Sequence, residues 1–169
     1  MAIILAYKGK LPKIASDAFI ADNAVIIGDV EIASKANIWF GCVLRGDVNH
    51  IRIGEGTNIQ DGTIIHVNRN NGPTIIGKNV TVGHLALLHA CHLHDHSFVG
   101  MGAKVIDNAI VESQAMVAAG SLIAPHKVVK SKELWAGVPG KFFRAMTQEE
   151  IDYIQISADN YIRLASEYV

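Results

Sequence analysis

"IASDAFIADNAVIIGDVEIASKANIWFGCVL", residues 14 to 44, carries an aliphatic residue at every sixth position: Ile14, Ile20, Ile26, Ile32, Ile38 and Leu44. The fourth residue after each is small or medium-sized and uncharged: Ala18, Ala24, Val30, Ala36, Cys42 and Val48. A period of six fits neither the 3.6-residue helix nor one long two-residue alternation. It fits a short strand plus a corner, repeated. Three such units close one triangular coil, and coils stack in parallel. The aliphatic residue points inward, and the small residue lets the chain turn close to the axis.

Outward from this stretch the register resumes at Ile53, Ile59 and Ile65, with Thr57 and Thr63 in the small slot. It resumes again at Ile76, Val82 and Leu88, with Val80 and Ala86. After a one-residue slip it runs through Val99, Val105, Val111, Val117 and Ile123, with Ala103, Ala109, Ala115 and Ser121 in step. The fold class expected is all-β, a parallel β-helix over residues 1–140. The pattern is similar to that of hexapeptide-repeat proteins, which implies the left-handed triangular form. "GVPGK" (Gly137 to Lys141) ends the repeat with glycine and proline. Thr147 and Glu150 then read as a capping box, and Ile151, Ile154, Ala158, Tyr161, Ile162, Ala165 and Tyr168 follow at helical spacing. Residues 141–169 are therefore expected to form a C-terminal helical segment packed on the β-helix.

The 169 residues suit one domain with a sizeable core. A net charge of −1 and the lack of a basic stripe argue against nucleic acid or a membrane surface as partners. "MAIILAYKGK" lacks a basic leader and a long apolar run, so neither a signal peptide nor a membrane span is expected. Cys42 and Cys91 offer no disulfide framework and no CxxC pair. Together these point to a soluble, cytoplasmic protein.

Six of the eight histidines fall between Asn58 and His96. If residues 67–75 form a loop at one corner, Ile65 and Leu88 are three units apart and share a face one coil apart. His66 and His89 each follow the inward aliphatic residue, so both point outward. Coils ~4.8 Å apart would let two such imidazoles converge on one metal ion. His84 belongs to the Val82 unit on another face, and joins them only if a second copy brings that face against the first. A head-to-tail contact between unlike faces closes as a ring, which suggests a homotrimer with metal sites between subunits. With one insertion in residues 49–52, Arg45 lies below His66, while Gln60 and Asp61 share the face of His84. Three neutral histidines with an open fourth position make a catalytic-type zinc site, where zinc lowers the pKa of bound water to ~7. Gln60 would orient that water or the substrate. Asp61 would pair with Arg45 across the interface. His92, His94 and His96 read as solvated residues around the corner before the Phe98 unit. His50 and His126 read as structural or surface residues, and Cys42 as core.

"RGD" at Arg45–Asp47, "NIQDGTIIH" at Asn58–His66 and "GHLALLH" at Gly83–His89 resemble the γ-class carbonic anhydrases. The resemblance covers the chain from about Ile14 to the C-terminal helix. It implies a left-handed β-helix trimer that reversibly hydrates carbon dioxide to bicarbonate. His66, His84 and His89 would hold Zn2+, with Fe2+ or Co2+ as alternatives, and His84 would come from the neighbouring subunit. Gln60 resembles the residue beside the metal-bound hydroxide. Arg45, Asp47 and Asp61 match the interface ion-pair and hydrogen-bonding residues, Asn58 a supporting position behind them, and Tyr161 a helix tyrosine that reaches the site in some relatives.

The sequence also departs from that pattern. Val48 stands where the family has an acidic residue, and "VNRNNGP" after His66 lacks the carboxylate expected to shuttle protons. Slow turnover with an undisturbed metal site is the expectation. Two other readings stay open: a non-catalytic or thioester-hydrolysing metal-binding relative, and a hexapeptide-repeat acyltransferase with His126 as the only base outside the cluster.

Overall fold

A computed structural model describes residues 1–168. The chain winds into a left-handed β-helix of about seven turns followed by one helix. Three faces result, each a stack of short parallel strands. The histidine face contains the first parts of Val25–Ile32 and Val43–Ile53, then Ile64–His66, Leu87–His89, Lys104–Ile106 and Leu122–Ile123, in that stacking order. The back face contains Thr74–Ile76, His92–Leu93, Ile110–Val111 and Val128–Val129. The helix face contains Phe19–Ile20, Asn37–Ile38, Asn58–Ile59, Thr81–Val82, Phe98–Val99 and Met116–Val117.

Side chains alternate between the two sides of each strand, so every second residue enters the coil. On the histidine face these are Ile26, Leu44, Ile65, Leu88, Val105 and Ile123, all inaccessible to solvent. The Cα register pairs Leu44 with Ile65, Ile65 with Leu88, and Leu88 with Val105. The core is thus a set of aliphatic columns, and β-branched residues suit both the strand and the contact with the coil above. Ala24, Ala36, Cys42, Thr57, Thr63, Ala86, Ala103, Ala109 and Ala115 fill the buried corner slots. Left-handed backbone turns the chain at one corner, where Gly41, Gly62, Leu85, Gly102 and Gly120 occupy equivalent positions with φ of 71°, 70°, 59°, 67° and 69°.

Interruptions of the repeat place the site. The insertion lies slightly earlier than residues 49–52: Gly46 pairs with Gly28 and Ile51 with Val30, so Asp47–His50 bulge out. The loop after His66 is shorter than residues 67–75, because Thr74 already starts a strand and its hydroxyl donates to the His66 carbonyl at 2.6 Å. Asn49 Nδ2 donates to the Asn68 and Asn70 carbonyls at 3.1 and 2.8 Å, so bulge and loop brace one another. The one-residue slip falls between Leu88 and Leu93, where Ala90 takes φ of 50°.

Ahead of the expected helix, the C-terminal segment begins with a strand. Gly140–Ala145 folds back antiparallel on Glu133–Gly137. Helix α1, Gln148–Ser166, follows behind the Thr147–Glu150 capping box. Val169, the last residue of that segment, lies outside the described residues. The buried residues of α1, Ile154, Ser157, Ala158 and Ala165, lie toward the β-helix, and α1 contacts the strands at Asn37, Asn58 and Thr81. Among the described residues no helix is long and apolar enough to cross a membrane.

Candidate metal centre

His66 and His89 are direct register partners on adjacent coils. Each follows an inward aliphatic residue, so both project from the histidine face, with ring centroids 5.3 Å apart. His89 Nδ1 is 2.7 Å from Asp107 Oδ1. His84 Nδ1 is 2.8 Å from Asp61 Oδ2. A carboxylate at Nδ1 fixes the ring and leaves Nε2 as the metal-binding nitrogen, an arrangement usual for ligating histidines. His66 differs: its Nε2 is 3.0 Å from Asp47 Oδ1. Asp47 also accepts hydrogen bonds from Arg45 and, at 2.8 Å, from the Val48 N–H. Burial opposes its charge, but His66, Arg45 and the Val48 N–H outweigh burial and hold its carboxyl below the usual carboxylate range.

Gln60 and Asn58 sit on the helix face just before the corner that carries Asp61. Both are buried. Gln60 Nε2 donates to Asn58 Oδ1 at 3.0 Å, and Asn58 Nδ2 donates to Thr81 Oγ1 at 2.9 Å. Gln60 Oε1 is the end left over, an acceptor without a protein partner among the described residues. Asp61 and His84 occupy the corner on successive coils, where the Leu85 N–H donates to the Asp61 carbonyl at 2.8 Å.

Within one chain Arg45 takes Asp47 and Asp61 takes His84, so the Arg45–Asp61 pair expected across an interface is not formed inside the chain. Tyr161 on α1 packs edge-on against Trp39 at 5.5 Å, and burial, with the charge of Asp61 next, raises its phenol pKa. His66 and His89 are brought together, whereas His84 stands apart at its corner. Among the described residues, no group of three His, Cys, Asp or Glu side chains in the single chain is placed to hold a metal ion. The donor chemistry nevertheless fits a divalent metal: two adjacent imidazoles and a third, two of the three already oriented by carboxylates at Nδ1.

His92 and His94 do not lie at the corner expected for them. The slip at Ala90 starts the back face early, so they flank the inward Leu93 with rings 4.5 Å apart, and only His96 occupies the turn. His50 lines a cleft of about 390 Å³ with Tyr7, Lys10, Asp29 and Asp47. His126 is an exposed corner residue. Sequence reasoning missed Asp107, Thr81 and Ser157. Extending the register one coil beyond His89 would have reached Ile106 and its neighbour Asp107. The Thr81 Oγ1 to Ser157 Oγ contact of 3.0 Å joins residues 76 positions apart and has no local signal.

No family model matches the chain. It is 53% identical over 161 residues to gamma carbonic anhydrase 2, mitochondrial, of Arabidopsis thaliana, covering 92% of this chain and 58% of that protein. It is 40% identical over 166 residues to the carbonic anhydrase of Geobacillus kaustophilus, covering 98% of this chain and 91% of that one. The crystal structure of a hexapeptide transferase family protein from Anaplasma phagocytophilum superposes with a TM-score of 0.96 at 56% identity, over 99% of this chain and 98% of that one. The chain therefore spans less than two thirds of the Arabidopsis protein.

Proposed function

The chain belongs to the γ-class carbonic anhydrase family, and from that premise we propose that it reversibly hydrates carbon dioxide to bicarbonate at a metal site shared between two copies in a homotrimer. The observation that carries this reading is the split donor set. His66 and His89 lie together on one face, while His84, backed by a carboxylate as His89 is, lies at a corner, and among the described residues the three form no metal-binding group within one chain. Apolar surface around these residues supports a covering subunit: Ile64, Leu85 and Met101 are 46%, 72% and 59% exposed.

His66 and His89 of one copy and His84 of the next would hold the ion, which we take to be Zn2+, with Fe2+ or Co2+ as alternatives. A divalent ion there supplies Lewis acidity that brings the pKa of water into the neutral range. The chain's own residues do the rest. Gln60 Oε1 accepts a hydrogen bond from the attacking water and orients it. Asp47 keeps Arg45 and the Val48 N–H when His66 turns Nε2 to the metal, so its charge stays compensated. Arg45 and Asp61 would pair between copies, and Tyr161 would stand behind that corner from α1. Proton export is the weak step, because Val67–Pro73 holds no carboxylate.

Metal analysis of anaerobically purified protein, followed by a carbon dioxide hydration assay on the same sample, tests the proposal. Hydration that scales with bound metal is expected. A fully metal-loaded protein without hydration would exclude it.

A further inference from the structure

We propose that Ser157 and Thr81 are positioning residues: helix α1 sets the polarity of the Gln60 amide through the relay Ser157–Thr81–Asn58–Gln60. The catalytic part of this inference rests on the function proposed above; the structural part does not.

All four side chains are buried, with exposures of 5%, 0%, 0% and 6% from Ser157 to Gln60. Ser157 Oγ is 3.0 Å from Thr81 Oγ1, which accepts from Asn58 Nδ2 at 2.9 Å, and Asn58 Oδ1 accepts from Gln60 Nε2 at 3.0 Å. Asn58 Nδ2 has a second, longer acceptor in the Val80 carbonyl at 3.4 Å. A primary amide can turn end for end, exchanging donor and acceptor, so its orientation is decided by its neighbours. In the proposed polarity Thr81 donates its hydroxyl proton to Ser157 Oγ, one of the two directions that the contact permits, and so presents a lone pair to Asn58. Asn58 must then present Nδ2 to Thr81 and Oδ1 to Gln60. Gln60 in turn gives Nε2 inward and leaves Oε1 outward as an acceptor. Without Ser157 the Thr81 proton is free to turn toward Asn58. Only the longer contact of Asn58 Nδ2 to the Val80 carbonyl at 3.4 Å then opposes reversal of the two amides, which would leave Gln60 presenting a donor where the water needs an acceptor. Buried networks of this kind hold one polarity because an unpaired group inside is costly.

The test compares Ser157→Ala, Thr81→Val and Thr81→Ser. In the metal-free protein, NMR is expected to show slow hydrogen exchange at the Gln60 side-chain amide in the parent and in Thr81→Ser, and about tenfold faster exchange in Ser157→Ala and Thr81→Val. In metal-loaded protein, Ser157→Ala is expected to lower kcat about tenfold with KM and metal content unchanged. In a Gln60→Ala background it should have no further effect, since the relay then has nothing to position. Unchanged Gln60 exchange in Ser157→Ala, or an equal loss of kcat in the Gln60→Ala background, overturns the relay. If the parent protein hydrates no carbon dioxide, the functional reading fails while the exchange measurement still decides the relay.

Discussion

His66 and His89 stand one above the other on adjacent coils, ring centroids 5.3 Å apart, and each keeps its own carboxylate. Asp47 serves His66 from a bulge on the coil below, and Asp107 serves His89 from the corner of the coil above. The β-helix repeat sets this spacing: because each coil repeats the last, a column of outward positions becomes a column of functional groups.

Asp107→Asn is expected to weaken metal binding about tenfold while leaving the fold intact, because the His89 ring loses its charged anchor. Competition with a chromophoric chelator measures it. Unchanged affinity would mean that Asp107 merely decorates the corner.

The lack of a carboxylate in Val67–Pro73 makes proton export the expected bottleneck. In stopped-flow hydration assays kcat should rise with imidazole buffer concentration and then saturate. A rate independent of buffer would reveal an internal proton carrier.

Helix α1 depends on its first turn. Thr147→Ala should cost about 1 kcal/mol in chemical denaturation, since Thr147 Oγ1 accepts from the Glu150 N–H at 3.2 Å. The Glu150 carboxyl is held down to about 2 by Arg144, then by the Thr147 N–H. Its folded pKa lies below the ordinary 4.5, so its contribution is complete above pH 4.5 and fades as pH falls toward 2. The stability gap between the parent and Glu150→Gln should close across that window. The pair is at the surface, so the gap is small.

Burial pushes the thiols of Cys42 and Cys91 up to about 11 and about 12. Both should resist an aromatic disulfide reagent at pH 8 in the folded protein and react in denaturant. Rapid labelling of either in the folded state would contradict the buried slots assigned to them.

Much of the fold was legible because the hexad is a local signal: each inward residue, from Ile14 to Ile123, announces its own coil. The adjacency of His66 and His89 followed from counting units between Ile65 and Leu88. Features that break the count were not legible. The return strand Gly140–Ala145 obeys no hexad, since its partner Glu133–Gly137 runs antiparallel to it. The slip at Ala90 moved His92 and His94 from a corner onto a face. The Ser157–Thr81 contact depends on how α1 lies across the helix face, which no spacing within either segment encodes.

The central claim is that each metal site takes His66 and His89 from one copy and His84 from another. Mixing subunits tests it most directly. His84→Ala and His89→Ala proteins are prepared separately, then unfolded and refolded together, with mixed trimers verified by native mass spectrometry, and bound metal is measured. Each variant alone should bind no metal, and every mixed trimer should regain about one site in three, where an intact His66–His89 face meets an intact His84. Metal retained by His84→Ala alone, or mixed trimers that recover none, would contradict the shared site.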